Sequence, residues 1–392
     1  MQLYCGSKQI YLSLTLLLNR IEQMKYYLIA GETSGDLHGA NLINALKVED
    51  PEATFSIVGG TQMEESANQK ALIHTSEMAF MGFVEVIKNL GAISKNLKKV
   101  KEDIIKQKPD CVILIDFPGF NLKIAAFAKK KGIKTCYYIS PKVWAWNQKR
   151  VIKIKRIVDH MFCILPFEVD FYKKWKMPVD YVGNPLLDAI SSYKFNPDFI
   201  AEHQLSERPI IALLPGSRKM EIAKLLPIMA NLTYLFPMHQ FVIAGAPNFD
   251  KSYYQQYLGD QQIPIVFNAT YDLLKHAEAA VVTSGTATLE TGILKVPQVV
   301  VYKANALSIW IAKLVIKVKF ISLVNLINDY LSIRELIQDD CTTYDIAQEL
   351  DQLINKPEYR ASVLENYEIL AQKLGQPGAS NKTAKLIVQY MK

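Results

Sequence analysis

From residue 25 onward, short apolar runs rich in β-branched and aromatic residues alternate with stretches of helical spacing, and this alternation restricts the chain more than any other feature. A run of five apolar residues without polar alternation has both faces buried, which in a βαβ series means a parallel sheet covered by helices on each side. The runs predict strands over 26–30, 55–58, 111–115, 135–139, 161–165 and 179–182. After an irregular polar stretch, SSYKFNPDFIAEHQLSERP, the cycle restarts at 210–214 and continues at 240–244, 264–267, 279–282 and 298–302. The fold class is therefore α/β, with two Rossmann-like doubly wound lobes facing a cleft, one over 25–190 and one over 191–375. Ligands of such folds bind outside the carboxyl ends of the strands. Leu37, Ala40, Ile43 and Leu46 predict a helix that stops before Pro51. Pro227 interrupts the spacing Ile222, Leu225, Leu226, Met229, which moves the expected start of that helix towards the proline.

Composition narrows the function. The 45 basic and 38 acidic residues leave a net charge of +7, enough for phosphate or anionic lipid and too little to demand nucleic acid. The five cysteines (Cys5, Cys111, Cys136, Cys163, Cys341) form no CxxC pair and read as reduced core residues of a cytosolic protein. The six histidines show no ligand spacing, so no protein-bound metal is expected. The apolar run 10–18 is too short to span a bilayer and is followed by no small-x-small cleavage site. Residues 1–24 are read as an extension ahead of the first lobe, with Met24 as the alternative start; the intact mass of the protein from its host tests this.

Four strand ends carry polar residues that a plain turn does not need. GETSGD follows the first strand, where two glycines permit a tight turn and close approach, leaving Glu32 and Ser34 for the cleft and Asp36 near a helix start. A capped turn is the competing reading. Asp116 ends the third strand of this lobe ahead of Phe117-Pro118-Gly119-Phe120-Asn121; in apolar surroundings its carboxylate could accept a proton from an attacking hydroxyl, and a turn or cap aspartate is the alternative. Pro215-Gly216-Ser217-Arg218 offers a planar, permanently charged fork suited to a diphosphate, against the alternative of a solvated arginine. Ser284, Gly285 and Thr286 open a helix whose amides form a phosphate seat, with Glu290 one turn further in, towards a ribose; a glutamate that merely satisfies the dipole is the alternative. Together they describe a nucleotide diphosphate held by the second lobe and an acid or base presented by the first, which is the layout for glycosyl transfer from a nucleotide sugar. Two stretches, 82–91 with Lys95, Lys98, Lys99 and Lys101, and 309–320, mix apolar and basic residues as an anionic membrane surface requires; core helices with a solvated lysine face are the other reading.

The assembled motifs, AGETSGD, MGFVEVI, KPDCVILIDFPGFN, YYISPKVWAWNQKR, LPFE, LLPGSRKMEI, SGTATLE and KFISLVNLI, resemble those of the bacterial lipid-A-disaccharide synthases over nearly all of residues 25–390. The resemblance implies the GT-B glycosyltransferase architecture and transfer, with inversion, from UDP-2,3-diacylglucosamine to 2,3-diacylglucosamine 1-phosphate (lipid X), giving a β-1,6-linked disaccharide phosphate and UDP. Carried over by motif, Asp116 becomes the general base and Arg218, beside Ser217, the partner of the diphosphate or acceptor phosphate. Ser284, Gly285, Thr286 and Glu290 would hold UDP, and Glu32, Ser34 and Asn325 would line the cleft. No cofactor is implied. The implied setting is the cytoplasmic face of the inner membrane, with a homodimer in which residues 376–392 pack on the first lobe or on a partner chain. One departure stands out: Gly183-Asn184-Pro185 replaces the Gly-His-Pro of many relatives, and asparagine cannot carry a proton at neutral pH. A UDP-sugar 2-epimerase and a non-catalytic UDP-sugar or lipid binder are the rival functions.

Overall fold

In the computed structural model, residues 23–78, 90–305 and 318–392 are described. The apolar run 10–18, most of 82–91 and most of 309–320 lie outside them. The first lobe is built on a six-stranded parallel sheet of β1 (Lys25–Ala30), β2 (Thr54–Val58), β3 (Cys111–Ile115), β4 (Lys134–Tyr138), β5 (His160–Cys163) and β6 (Asp180–Tyr181), in the order β2-β1-β3-β4-β5-β6. The second repeats the design with β7 (Ile210–Leu214), β8 (Gln240–Gly245), β9 (Ile265–Phe267), β10 (Ala277–Thr283), β11 (Gln298–Tyr302) and β12 (Glu335–Ile337), ordered β12-β11-β10-β7-β8-β9. The unbroken apolar runs thus have the predicted cause. Tyr27, Ile29, Val112 and Leu114 fill the layer on one face of the first sheet, and Tyr26, Leu28, Ile113 and Ile115 fill the layer on the other.

Eight helices carry the site and the lobe connections: α1 (Thr33–Glu49), α2 (Thr61–Ala67), α3 (Pro118–Lys130), α4 (Pro185–Ser192), α5 (Lys219–Ala230), α6 (Thr286–Ile293), α7 (Leu323–Asn328) and α8 (Ala379–Met391). α5 differs from its expected start. It begins at Lys219 and runs through Pro227, because Ile222, Leu225, Leu226 and Met229 are all buried in one core. A proline inside a helix costs about 3 kcal/mol, and the burial of four large side chains, at about 1.5–3 kcal/mol each, outweighs it.

The chain leaves the first lobe through α4 and returns to it as α8. Ala384, Ile387 and Val388 of α8 join Ala40, Leu42 and Ile43 of α1 in one core. Asp188 of α4 accepts from the amides of Gly378, Ala379 and Ser380 and so closes the first turn of α8. At its far end, Tyr390 stacks on His160 with ring centroids 3.7 Å apart and donates to Asp180. A further core joins Trp144, Leu165 and Leu186 to Leu289, Val324 and Tyr367. The helix Leu90–Gln107 buries Leu97, Val100 and Ile104 and leaves Lys95, Lys98 and Lys99 in water, so its described part is a core helix with a solvated lysine face.

Candidate active site

Each sheet reverses its winding once. In the first, the chain moves outward from β1 to β2 and then resumes on the other side of β1 with β3, so the switch lies between β1 and β3. In the second it lies between β7 and β10. Ala30 pairs with Ile115, and Val282 with Leu214, so the four polar strand ends fall pairwise at these two points. Crevices open there because neighbouring connections leave to opposite faces of the sheet.

At the first switch point, almost every residue of GETSGD has a physical reason. A Cβ on Gly31 would lie 2.2 Å from the Phe117 ring, so only glycine lets that ring cross the end of β1. Glu32 is the N-cap of α1 but makes no side-chain capping bond, which leaves the first amides of the helix open to an anion. Thr33 and Ser34 are exposed in the first helical turn, and a Cβ on Gly35 would touch Ala30 at 3.3 Å. Asp36 has a structural task. It is buried and accepts from the amides of Gly60 (2.6 Å), Gln62 and Met63 (3.1 Å each), capping α2.

Asp116 sits in the left-handed region, with φ +42°, and Phe117 follows at +48°. Ile139, just beyond β4, has φ +66°. Non-glycine residues in such conformations cost about 1–3 kcal/mol each and persist only where the surroundings enforce them. Burial pushes the Asp116 carboxyl up to about 6; Lys142 opposes this and the nearby Glu32 carboxylate adds to it. The Asp116 carboxyl is thus poised near neutrality.

The motif ISPKVWAW is tied to LPFE by Glu168, which is 1% exposed. Its carboxylate accepts from Ser140 Oγ (2.6 Å), Trp144 Nε1 (3.1 Å) and the amides of Ile164 (3.2 Å) and Leu165 (3.0 Å). Burial raises its pKa to about 7 against the pull of these four donors. Asn184 is buried and caps α4 by accepting from the Leu186 amide, while its Nδ2 donates to the Ile164 carbonyl. A hydrogen-bonding cap is a task asparagine performs without a titrating proton.

At the second switch point, Gly216 takes φ +103°, and a Cβ there would strike Glu221 at 2.4 Å. Ser217 and Arg218 are exposed. Their amides, at 3.2 and 3.3 Å, point to Glu221 Oε2, and the Arg218 guanidinium meets Glu221 Oε1 at 3.0 Å. A carboxylate therefore rests where two amides and a guanidinium converge, a constellation equally suited to a phosphate oxygen. Across the switch, Ser284 donates to the Ile321 carbonyl (2.8 Å), while Gly285 and Thr286 are exposed at the uncapped start of α6. Glu290 accepts from Tyr271 (2.9 Å), and burial raises its pKa.

Asn325 departs from its expected place. It is fully buried, its Nδ2 donating to the Ile333 carbonyl (2.9 Å) and Glu335 (2.8 Å), its Oδ1 accepting from the amides of Ser332 (2.8 Å) and Ile333 (3.0 Å). All its polar atoms serve the α7–β12 turn, and none is offered to the cleft. The residues reading missed are Asn121, Tyr137 and Glu168, buried polar groups whose partners are distant in sequence; an asparagine or glutamate inside an apolar stretch was the available signal. A cavity of about 470 Å³ is lined by Arg334, Glu349, Tyr359 and Asn366, among others, and touches neither switch point. Among the described residues, no three His, Cys, Asp or Glu side chains cluster as a metal site, and no helix is long and apolar enough to cross a membrane.

Comparison with known proteins adds the family. Solved structures share the fold at low identity: a UDP-GlcNAc 2-epimerase from Neisseria meningitidis bound to UDP-GlcNAc (TM-score 0.66, 13% identical, covering 93% of this chain and 100% of that one) and the glycosyltransferase of kitacinnamycin (TM-score 0.63, 13%, 95% and 100%). Epimerases and transferases alike use these two lobes, so the fold alone does not choose between them. Sequence does. Lipid-A-disaccharide synthases from Trichlorobacter lovleyi (37% identical, covering 93% of this chain and 97% of that protein) and Coxiella burnetii strain CbuG_Q212 (38%, 92% and 96%) align along almost their full length. The profile of the lipid-A-disaccharide synthetases matches residues 26–389. The chain belongs to that family and is a glycosyltransferase of lipid A disaccharide synthesis.

Proposed function

We propose that this enzyme transfers the sugar of UDP-2,3-diacylglucosamine to the 6-hydroxyl of 2,3-diacylglucosamine 1-phosphate, with the base on the first lobe and the leaving group on the second. The observation that carries the reading is the placement of a carboxyl raised to about 6 at one switch point and an arginine with converging amides at the other. In this reading the acceptor hydroxyl oxygen attacks the anomeric carbon while Asp116 accepts its proton. The bond from that carbon to the diphosphate breaks, and UDP leaves with the electron pair. Arg218, the Ser217 amide and the open amides of Gly285 and Thr286 at the start of α6 then hold the charge that develops, while Ser284, whose amide donates to the Val301 carbonyl, fixes the turn that presents them. Glu290 would accept from a ribose hydroxyl, and Glu32 and Ser34 would flank the acceptor. Asn325 takes no direct part and shapes the wall behind α7.

The acyl chains require the reaction to run at a lipid surface, which we place at the cytoplasmic leaflet of the inner membrane. The mixed apolar and basic stretch 309–320 supports this, as does the net charge of +7. A homodimer belongs to the same proposal, with α8 packed on the first lobe of its own chain. Mass spectrometry of products from purified protein, synthetic diacyl donor and acceptor is the test. A tetraacyl disaccharide phosphate with stoichiometric UDP is expected; an epimerised UDP-sugar, or both substrates returned unchanged, would overturn the assignment.

A further inference from the structure

Asn121 has no exposed surface, yet it sits among apolar residues of α3. Its Nδ2 faces three main-chain carbonyls at the switch point: Asp116 at 2.8 Å, Ile115 at 3.1 Å and Ile29 at 3.4 Å. Its Oδ1 is buried and makes no hydrogen bond, so the amide is turned wholly to donation. From the neighbouring strand, the Tyr137 hydroxyl donates to the same Asp116 carbonyl at 2.5 Å. The Asp116 amide in turn donates to the Tyr138 carbonyl at 3.0 Å. Both peptide groups of this one residue are thereby fixed by side chains and backbone from β4 and α3.

A turn needed only for chain reversal would take glycine at 116 or 117, since glycine adopts positive φ without strain. The chain instead keeps an aspartate and a phenylalanine in consecutive left-handed conformations, empties residue 31 of a side chain to admit the Phe117 ring, and brings two buried donors to one carbonyl. We infer that Asn121 and Tyr137 are positioning residues that lock the backbone of Asp116 so that its carboxyl is presented at the switch point. The inference rests on the proposed role of Asp116 as base and adds the machinery that aims it. Charged and titratable groups facing this locus are Glu32 from the start of α1, Lys142 from the segment after β4, and Arg150 and Tyr172, which act on Tyr137.

The test compares Tyr137→Phe, Asn121→Ala and Asp116→Asn in the full-length chain, by steady-state kinetics with diacyl donor and acceptor from pH 5 to 8 and by thermal melting. Tyr137→Phe removes one hydroxyl and keeps the ring packing. It is expected to lower kcat about 10- to 100-fold, to leave both KM values within about twofold, and to move the acid limb of kcat/KM downward as the freed carboxyl relaxes towards water. Asn121→Ala should lose more; should it fail to fold, Tyr137→Phe decides alone. A Tyr137→Phe enzyme with unchanged kcat and acid limb, beside an inactive Asp116→Asn, overturns this inference and leaves the base in place. Activity lost only in proportion to the unfolded fraction, with the pH profile unmoved, overturns it too. An Asp116→Asn enzyme of full activity removes the base itself, and the inference with it.

Discussion

Gly31→Ala is the most exacting perturbation the structure suggests. The added methyl would stand 2.2, 2.5 and 2.6 Å from three carbons of the Phe117 ring. Carbon atoms at rest sit about 3.5–4.0 Å apart, so the ring would have to withdraw by more than about 1 Å. It has little room, because it packs on Phe120 at a centroid distance of 5.8 Å and its own backbone is already left-handed at φ +48°. Overpacking of this kind costs about 1–3 kcal/mol of stability. The functional cost should be larger, since Asp116 is the next residue and a 1 Å misplacement of reacting groups lowers rates about 100-fold. The assay is turnover beside UDP calorimetry. Turnover should fall by about two orders of magnitude while UDP affinity, which this account assigns to the second lobe, stays within about twofold. Gly31→Ala/Phe117→Leu should recover part of the loss by removing the obstructing ring. Wild-type turnover in Gly31→Ala would refute the argument that the ring and the carboxyl are coupled through residue 31.

With the Asp116 carboxyl at about 6, kcat/KM should be flat above about pH 7 and fall to about one-tenth at pH 5; a limb near pH 4 would show an unperturbed carboxyl. Because the folded-state pKa is raised, this group favours the folded protein most at pH values below its unfolded value and loses that contribution as pH rises through 6, so Asp116→Asn should melt above wild type at pH 8 and not at pH 4. Glu168→Ala leaves four buried donors unpaired and should cost about 2–5 kcal/mol in chemical denaturation; a change below about 1 kcal/mol would mean the carboxylate does not hold the two motifs together. Arg218→Ala should remove about 2–4 kcal/mol of transition-state stabilisation, and a loss confined to protein yield would make the arginine structural.

The sheets were legible because strands buried on both faces of a parallel sheet must be apolar throughout, and the runs at 111–115 and 210–214 match β3 and β7 residue for residue. The motifs were legible as strand ends for the same reason. What composition could not convey was partnership across distance. Nothing near Gly31 announces the ring of Phe117, nothing near Asp36 announces the amides of α2, and the four donors to Glu168 come from two motifs separated along the chain. β12 is three residues long and exists because β11 offers it an edge, so no periodicity marks it. Asn325 shows the converse: its motif names the residue, but only the fold reveals that its amide is already committed to the turn beside it. The GETSGD stretch reads as a loop, whereas the helix begins inside it at Thr33, because the cap geometry at Glu32 is set by the strand it leaves.

The central claim is that proton acceptance and diphosphate binding belong to different lobes. Titrating Asp116→Asn with UDP by calorimetry, alongside its rate of disaccharide formation, tests it most directly. The account predicts a dissociation constant within about twofold of wild type and turnover reduced at least about 100-fold. Parallel loss of both, or turnover that survives, would contradict it.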